Sequence, residues 1–218
     1  MRRRVLLAAG ILSSLLYVAM NVFVAMQWTS YSSASQTVSE LSAIGAPTRS
    51  LWVWLGGAYT LLVTAFGYGV RLSGRRNRPL RFAGTLMIAY GLLGLAWPPM
   101  HQREVLAAGG ATMTDTLHIV FAMVTVLLML LAMGFAAVAL GARFRVYTTA
   151  SMAILVACGI VTSVSAPRIS ANLPTPLVGV WERLNIGVFL AWVVVLSIAL
   201  LPVTGANAET GRHGSLAA

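Results

Sequence analysis

Seven side chains in this chain have types and spacings suited to chemistry: Ser39, Glu40, His101, Asp115, His118, Glu182 and Arg183. Asp115 and His118 are three positions apart, so on a helix they share one face of the first turn. An acid and an imidazole so placed can ligate a metal ion, or the acid can orient a histidine that acts as a general base. Ser39 or Ser42 would serve as a nucleophile if His118 lay beside it with Asp115 behind. Glu182 and Asn185 repeat the three-residue spacing, with Arg183 between them. The carboxylates of Asp115 and Glu182 also have a plainer duty, because an acid at a helix start complements the helix dipole.

Three carboxylates with two histidines would be a sufficient ligand set for a divalent metal such as zinc, and His101, Asp115, His118 and Glu182 are the metal candidates. No compact signature accompanies them. There is no H-E-x-x-H, C-x-x-C, G-x-S-x-G or glycine-rich phosphate loop, so no cofactor is assigned. Asn21, with Tyr17 one turn away, is the notable polar residue of the first apolar run. It serves either as a hydrogen-bonding link between helices or as the floor of a cavity.

The elements that must position these groups are apolar helices. A hydrophobic fraction of 58%, a mean hydropathy of +0.83 and only 9% charged residues in 218 exclude an ordinary soluble domain. An all-α fold is expected: a polytopic bundle of six transmembrane helices over about 5–28, 51–70, 82–99, 116–141, 147–166 and 184–203, with a short tail, 204–218. The third is the shortest, since Pro98 and Pro99 end its uninterrupted part at Trp97. There is no separate soluble domain. The start, Arg2-Arg3-Arg4 before apolar residues, imitates a secretory signal, but its apolar run exceeds the roughly 7 to 15 residues of a signal core.

Charge sets the expected orientation. All 15 basic residues are arginine. With both termini in the cytoplasm, Arg2, Arg3, Arg4, Arg71, Arg75, Arg76, Arg78, Arg81, Arg143, Arg145 and Arg212 lie inside, and Arg49, Arg103, Arg168 and Arg183 outside, as the positive-inside rule requires. The net charge of +10 is thereby spent on topology and lipid headgroups, which argues against nucleic acid as a partner. Membrane lipid is the expected partner, and a homo-oligomer is left open. Glu40, Glu104, Asp115 and Glu182, four of the five acids, then lie on the outer side with His101 and His118.

In the first outer connection, Val38, Leu41 and Ile44 recur every third position between Ser35 and Gly45-Ala46-Pro47. This pattern predicts a short interfacial helix capped by Ser35. Trp28, Trp52, Trp54, Trp97 and Trp181 suit an aromatic belt at the same level. Glycines within the runs let helices approach closely. The lone cysteine, Cys158, lies inside the fifth run and reads as a packing residue.

The stretch SQTVSELSAIGAPTR (Ser35 to Arg49), with Asp115-Thr116-Leu117-His118 and Trp181-Glu182-Arg183-Leu184-Asn185, resembles the bacterial six-span family called domain of unknown function 998. The resemblance covers nearly the whole chain. It implies a bacterial inner membrane and six helices, and carries no activity over. Intramembrane lipid hydrolases that bind zinc through several histidines and an acid are a more distant likeness, from which this chain departs by lacking a late H-x-x-x-H. Three functions stay open. The first is a polar outer pocket for a lipid headgroup or similar amphiphile, built from Asn21, Glu40, Asp115, His118, Glu182, Arg183 and Asn185. The second is a membrane-embedded, metal-dependent lipid hydrolase with Asp115, His118 and Ser39 as catalytic candidates. The third is a small transporter.

Overall fold

The computed structural model describes residues 2–204, and among them the fold is helical without strands. Helices α1 (Arg2–Met26), α2 (Arg49–Ser73), α3 (Arg78–Leu95), α5 (Met113–Ala139), α6 (Ala142–Val164) and α8 (Val178–Leu200) are long. Two short helices, α4 (Arg103–Ala107) and α7 (Ala166–Ser170), and a 3₁₀ turn, Val38–Ser42, interrupt the connections. A second 3₁₀ turn, Leu201–Thr204, follows α8. By length and composition five helices can cross a membrane: α1, α2, α5, α6 continued through α7, and α8. The remaining long helix, α3, has 18 residues and carries Arg78 and Arg81 in its first turn. The chain is therefore a multi-pass helical membrane protein.

Packing follows from where the small residues fall. The α2 and α3 helices run antiparallel with backbones in near contact, Gly84 lying against Arg71 and Gly91 against Thr64. A Cβ on Gly67 would sit 2.7 Å from the Ile88 nitrogen and 3.0 Å from the Gly84 oxygen. Neither obstacle can rotate away, so glycine is what permits this approach. The α3 helix also packs on α5, α1 on α2 and α8, and α6 on α8. Phe66, Met87, Met133, Phe189, Trp192 and Leu196 are fully buried where these helices meet. Polar groups inside find partners: Trp192 donates to Thr148 Oγ1 at 3.0 Å, and the Tyr59 and Tyr90 hydroxyls meet at 2.8 Å. The outward faces stay apolar, with Met113, Met123, Val146 and Val164 each at least 60% exposed, as contact with lipid requires.

The connections 27–48, 96–112 and 165–177 gather at one end of the bundle as a cap. The Ile44 N–H donates to Met100 O at 2.7 Å, pairing Ile44 with His101 in an isolated bridge. The Thr175 hydroxyl donates to Ser35 O at 2.8 Å. Thus the first connection touches both others.

Three differences from the sequence expectation bear on the cap. The α3 helix stops at Leu95, two residues before Trp97, because a residue preceding proline is pushed out of the helical region. The expected interfacial helix is a five-residue 3₁₀ turn after Thr37, with Ser35 outside it. Its Val38 and Leu41 are buried, 3% and 0% exposed, so the turn points its apolar residues into the bundle. The α8 helix begins six residues before Leu184, which puts Glu182 and Arg183 inside it.

Candidate functional site

The cap is built on the Val38–Ser42 turn, which is held from four sides. The Glu40 carboxylate folds back to accept from the Thr37 N–H at 2.6 Å and the Thr37 hydroxyl at 2.9 Å. From α4, Arg103 grips Glu40 with both edges of its guanidinium, Nε to Oε1 at 2.6 Å and Nη2 to Oε2 at 2.9 Å. From α8, Glu182 accepts the Val38 N–H. From α2 and its N-cap, Arg49 donates to Ser42 O and Thr48 to Leu41 O, both at 2.7 Å.

Glu40 and Arg103 form a buried ion pair, 2% and 8% exposed, and its other donors are also used. Arg103 Nη1 reaches Thr175 Oγ1 at 2.8 Å, and Arg103 and Thr175 both donate to Ser35 O. One arginine therefore ties all three cap segments together. A planar fork matched to a carboxylate suits this duty, which a lysine cannot copy.

Asp115 does not stand behind His118. Its Oδ1 accepts the His101 N–H at 2.7 Å, and its Oδ2 meets His101 Nδ1 at 2.9 Å and the Thr112 N–H at 2.8 Å. Asp115 thus caps α5 and anchors the second connection. His118, one turn deeper, instead sets Nδ1 against Pro98 O at 2.8 Å and Nε2 against Ser39 Oγ at 3.2 Å. The ring of Trp97 stands edge-on to the imidazole, 5.3 Å between centroids.

Arg183 forms the second arginine centre. Its Nε donates to Asn21 Oδ1 at 3.0 Å, and Nη1 donates to the carbonyls of Ser33, Gln36 and Gly179 at 2.8 to 3.1 Å. Its Nη2 donates to the Tyr31 hydroxyl at 2.7 Å, and that hydroxyl donates onward to Thr37 O at 2.7 Å. Burial pushes the Tyr31 phenol up to about 12 against the opposing pull of Arg183, so Tyr31 stays a donor. Among the described residues no carboxylate lies within ion-pair distance of Arg183. An open groove of about 350 Å³ begins here, lined by Asn21, Ser33 and Arg183 at its polar end and by Val22, Ala25 and Met26 along α1.

The structure brings together Ser39 with His118, Glu40 and Glu182 with the same turn, and Asn21 with Arg183. It separates others. Asn185 turns away to donate to Leu155 O on α6, and Glu104 is an exposed charge on α4. The metal candidates are dispersed: His101 and Asp115 bond each other, His118 bonds Ser39 and Pro98, and Glu182 bonds Val38. Among the described residues no three histidine, cysteine or acidic side chains are grouped as a metal site. Sequence reasoning missed Arg103, Thr175, Tyr31 and the Pro98 carbonyl. One signal was present, because four arginines and four acids fall in connections expected on the same side of the membrane, which invites pairing.

These features define an integral membrane protein with a polar cap pinned on one end of an apolar bundle. The chain belongs to the family described as protein of unknown function (DUF998), whose model matches residues 11–199. No curated protein and no solved structure matches it.

Proposed function

We propose that this protein binds the head of an anionic membrane amphiphile, such as a phospholipid phosphate, in the groove between Asn21 and Arg183, with the acyl chain lying along Val22, Ala25 and Met26. The observation that carries this reading is an arginine whose contacts are all neutral, set at the polar end of an apolar trough. Five neutral acceptors fix the guanidinium and no carboxylate bonds it, so an anion at the groove gains Coulomb energy with the donor already positioned. Val22 and Met26 are 58% and 73% exposed, which suits an acyl chain as neighbour.

The accompanying topology has all six long helices crossing, the cap on the extracytoplasmic side of a bacterial inner membrane and both termini in the cytoplasm. The eleven-to-four division of arginines supports it. Such a site suits a lipid-binding or lipid-sensing role. A transporter is less favoured, because ionisable groups collect at the cap rather than at mid-depth.

The test is the thermal shift that added lipid produces in detergent-purified protein. Phosphatidylglycerol should raise Tm more than phosphatidylcholine of the same chains. Ala25→Trp, which fills the trough without touching Arg183, should abolish that difference while leaving lipid-free Tm near the parent value. Equal shifts from both lipids, or an undiminished preference in Ala25→Trp, would reject the groove.

A further inference from the structure

We infer that Ser39 is a nucleophile activated by His118, able to take an acyl group from a carboxylic ester presented at the cap. The inference does not rest on the lipid groove, which involves other residues.

The hydrogen bonds fix the direction of proton flow. A carbonyl can only accept, so the 2.8 Å contact with Pro98 O puts the proton of a neutral His118 on Nδ1. Nε2 then carries the lone pair and accepts from the Ser39 hydroxyl at 3.2 Å, within the range of a resting nucleophile and base. Pro98 O is available for this because α3 has already ended at Leu95, so the carbonyl lies outside the helical hydrogen-bond ladder. The carbonyl thus fills the orienting place that an acid fills in a triad. Trp97 backs the imidazole, and His118 itself is only 7% exposed.

The support is rigid and the hydroxyl remains reachable. The residues flanking Ser39 are clamped, Val38 by Glu182 and Glu40 by Arg103, which fixes the turn that carries the nucleophile. Ser39 is half-buried rather than sealed. Its neighbour Ser42 provides the contrast: that hydroxyl donates to Ser39 O at 3.0 Å and faces no base.

In the acylation step Ser39 Oγ bonds to the ester carbonyl carbon as its proton passes to His118 Nε2. The tetrahedral adduct then collapses, the carbon–alkoxide bond breaks, and Nε2 returns the proton to the leaving alcohol. Water repeats the sequence on the acyl-serine, giving a carboxylic acid and restoring Ser39. No metal or redox partner is needed to balance either half.

An alkyl fluorophosphonate tests this directly, since it captures an activated serine with loss of fluoride. The full chain, in native membranes and in detergent, should take up one phosphonyl group, and peptide mapping should find it on Ser39. His118→Gln should slow labelling by about 100-fold or more, the usual minimum for a lost general base. Ser42→Ala should label at the parent rate. Faster capture of a dodecyl than an ethyl phosphonate would mark a lipid ester as the source, and equal rates a soluble ester. Absence of labelling in folded parent protein, an adduct on another residue, or an unchanged rate in His118→Gln would overturn the proposal. Mapping the adduct on the parent chain decides the matter even if Ser39→Ala fails to fold.

Discussion

Arg103 and Arg183 occupy the same cap, and each makes hydrogen bonds with most of its guanidinium, yet they differ in one respect. Arg103 has a carboxylate and Arg183 has none within ion-pair distance among the described residues. The Glu40–Arg103 pair is closed: both oxygens of Glu40 are taken, and a ligand could enter only by breaking a buried ion pair. Around Arg183 the geometry is equally fixed but every hydrogen-bond partner is neutral. Clustered charge therefore identifies two different things here, a fastening and a candidate binding point, and only the partners distinguish them.

The largest effect should come from breaking the closed centre. Arg103→Ala leaves Glu40 buried without its partner and removes the link to Thr175 and Ser35, so a loss of about 3–5 kcal/mol is expected. Chemical denaturation in detergent would measure it, and Arg103→Lys should recover only part because it cannot bridge both oxygens. Arg183→Gln should cost less, about 1–3 kcal/mol, since it removes hydrogen bonds to neutral groups rather than breaking a hydrogen-bonded ion pair. The same variant should erase the preference for phosphatidylglycerol, whereas Arg103→Ala in its folded fraction should retain it. A larger loss in Arg183→Gln than in Arg103→Ala would reverse the assignment of the two centres.

The apolar helices could be read from composition, because lipid demands long apolar runs and little else in the sequence competes with that signal. The ends were harder. Glu182 and Arg183 read as the charged lead-in to a span beginning at Leu184, with Glu182 at the helix start; the helix instead begins at Val178, and from within α8 the two side chains reach the Val38 N–H and Asn21. The period of three in Val38, Leu41 and Ile44 was a true signal assigned to the wrong element. Three residues per turn is the 3₁₀ repeat, and Val38 with Leu41 lies within such a turn.

For the candidate site, the sequence placed Ser39 and His118 in one hypothesis but put Asp115 behind the histidine. Spacing along α5 places both on one face. It cannot show that Asp115 is taken by His101, 14 positions earlier in the chain, or that a proline carbonyl supplies the orienting acceptor. The pairing of Arg103 with Glu40 is likewise a contact across 63 positions, invisible to any local pattern. What local pattern does carry is the reason the acids are there at all, since Asp115 caps α5 through Thr112 and Glu40 closes its own turn through Thr37.

The most direct test of the open centre is photo-crosslinking in vesicles with a phosphatidylglycerol that carries a diazirine on its acyl chain near the headgroup. Saturable labelling of Val22, Ala25 and Met26, reduced in Arg183→Gln and competed by unlabelled phosphatidylglycerol but not by phosphatidylcholine, is the predicted result. Labelling spread evenly over the lipid-facing residues of α5 and α6, with no saturation at α1, would contradict it.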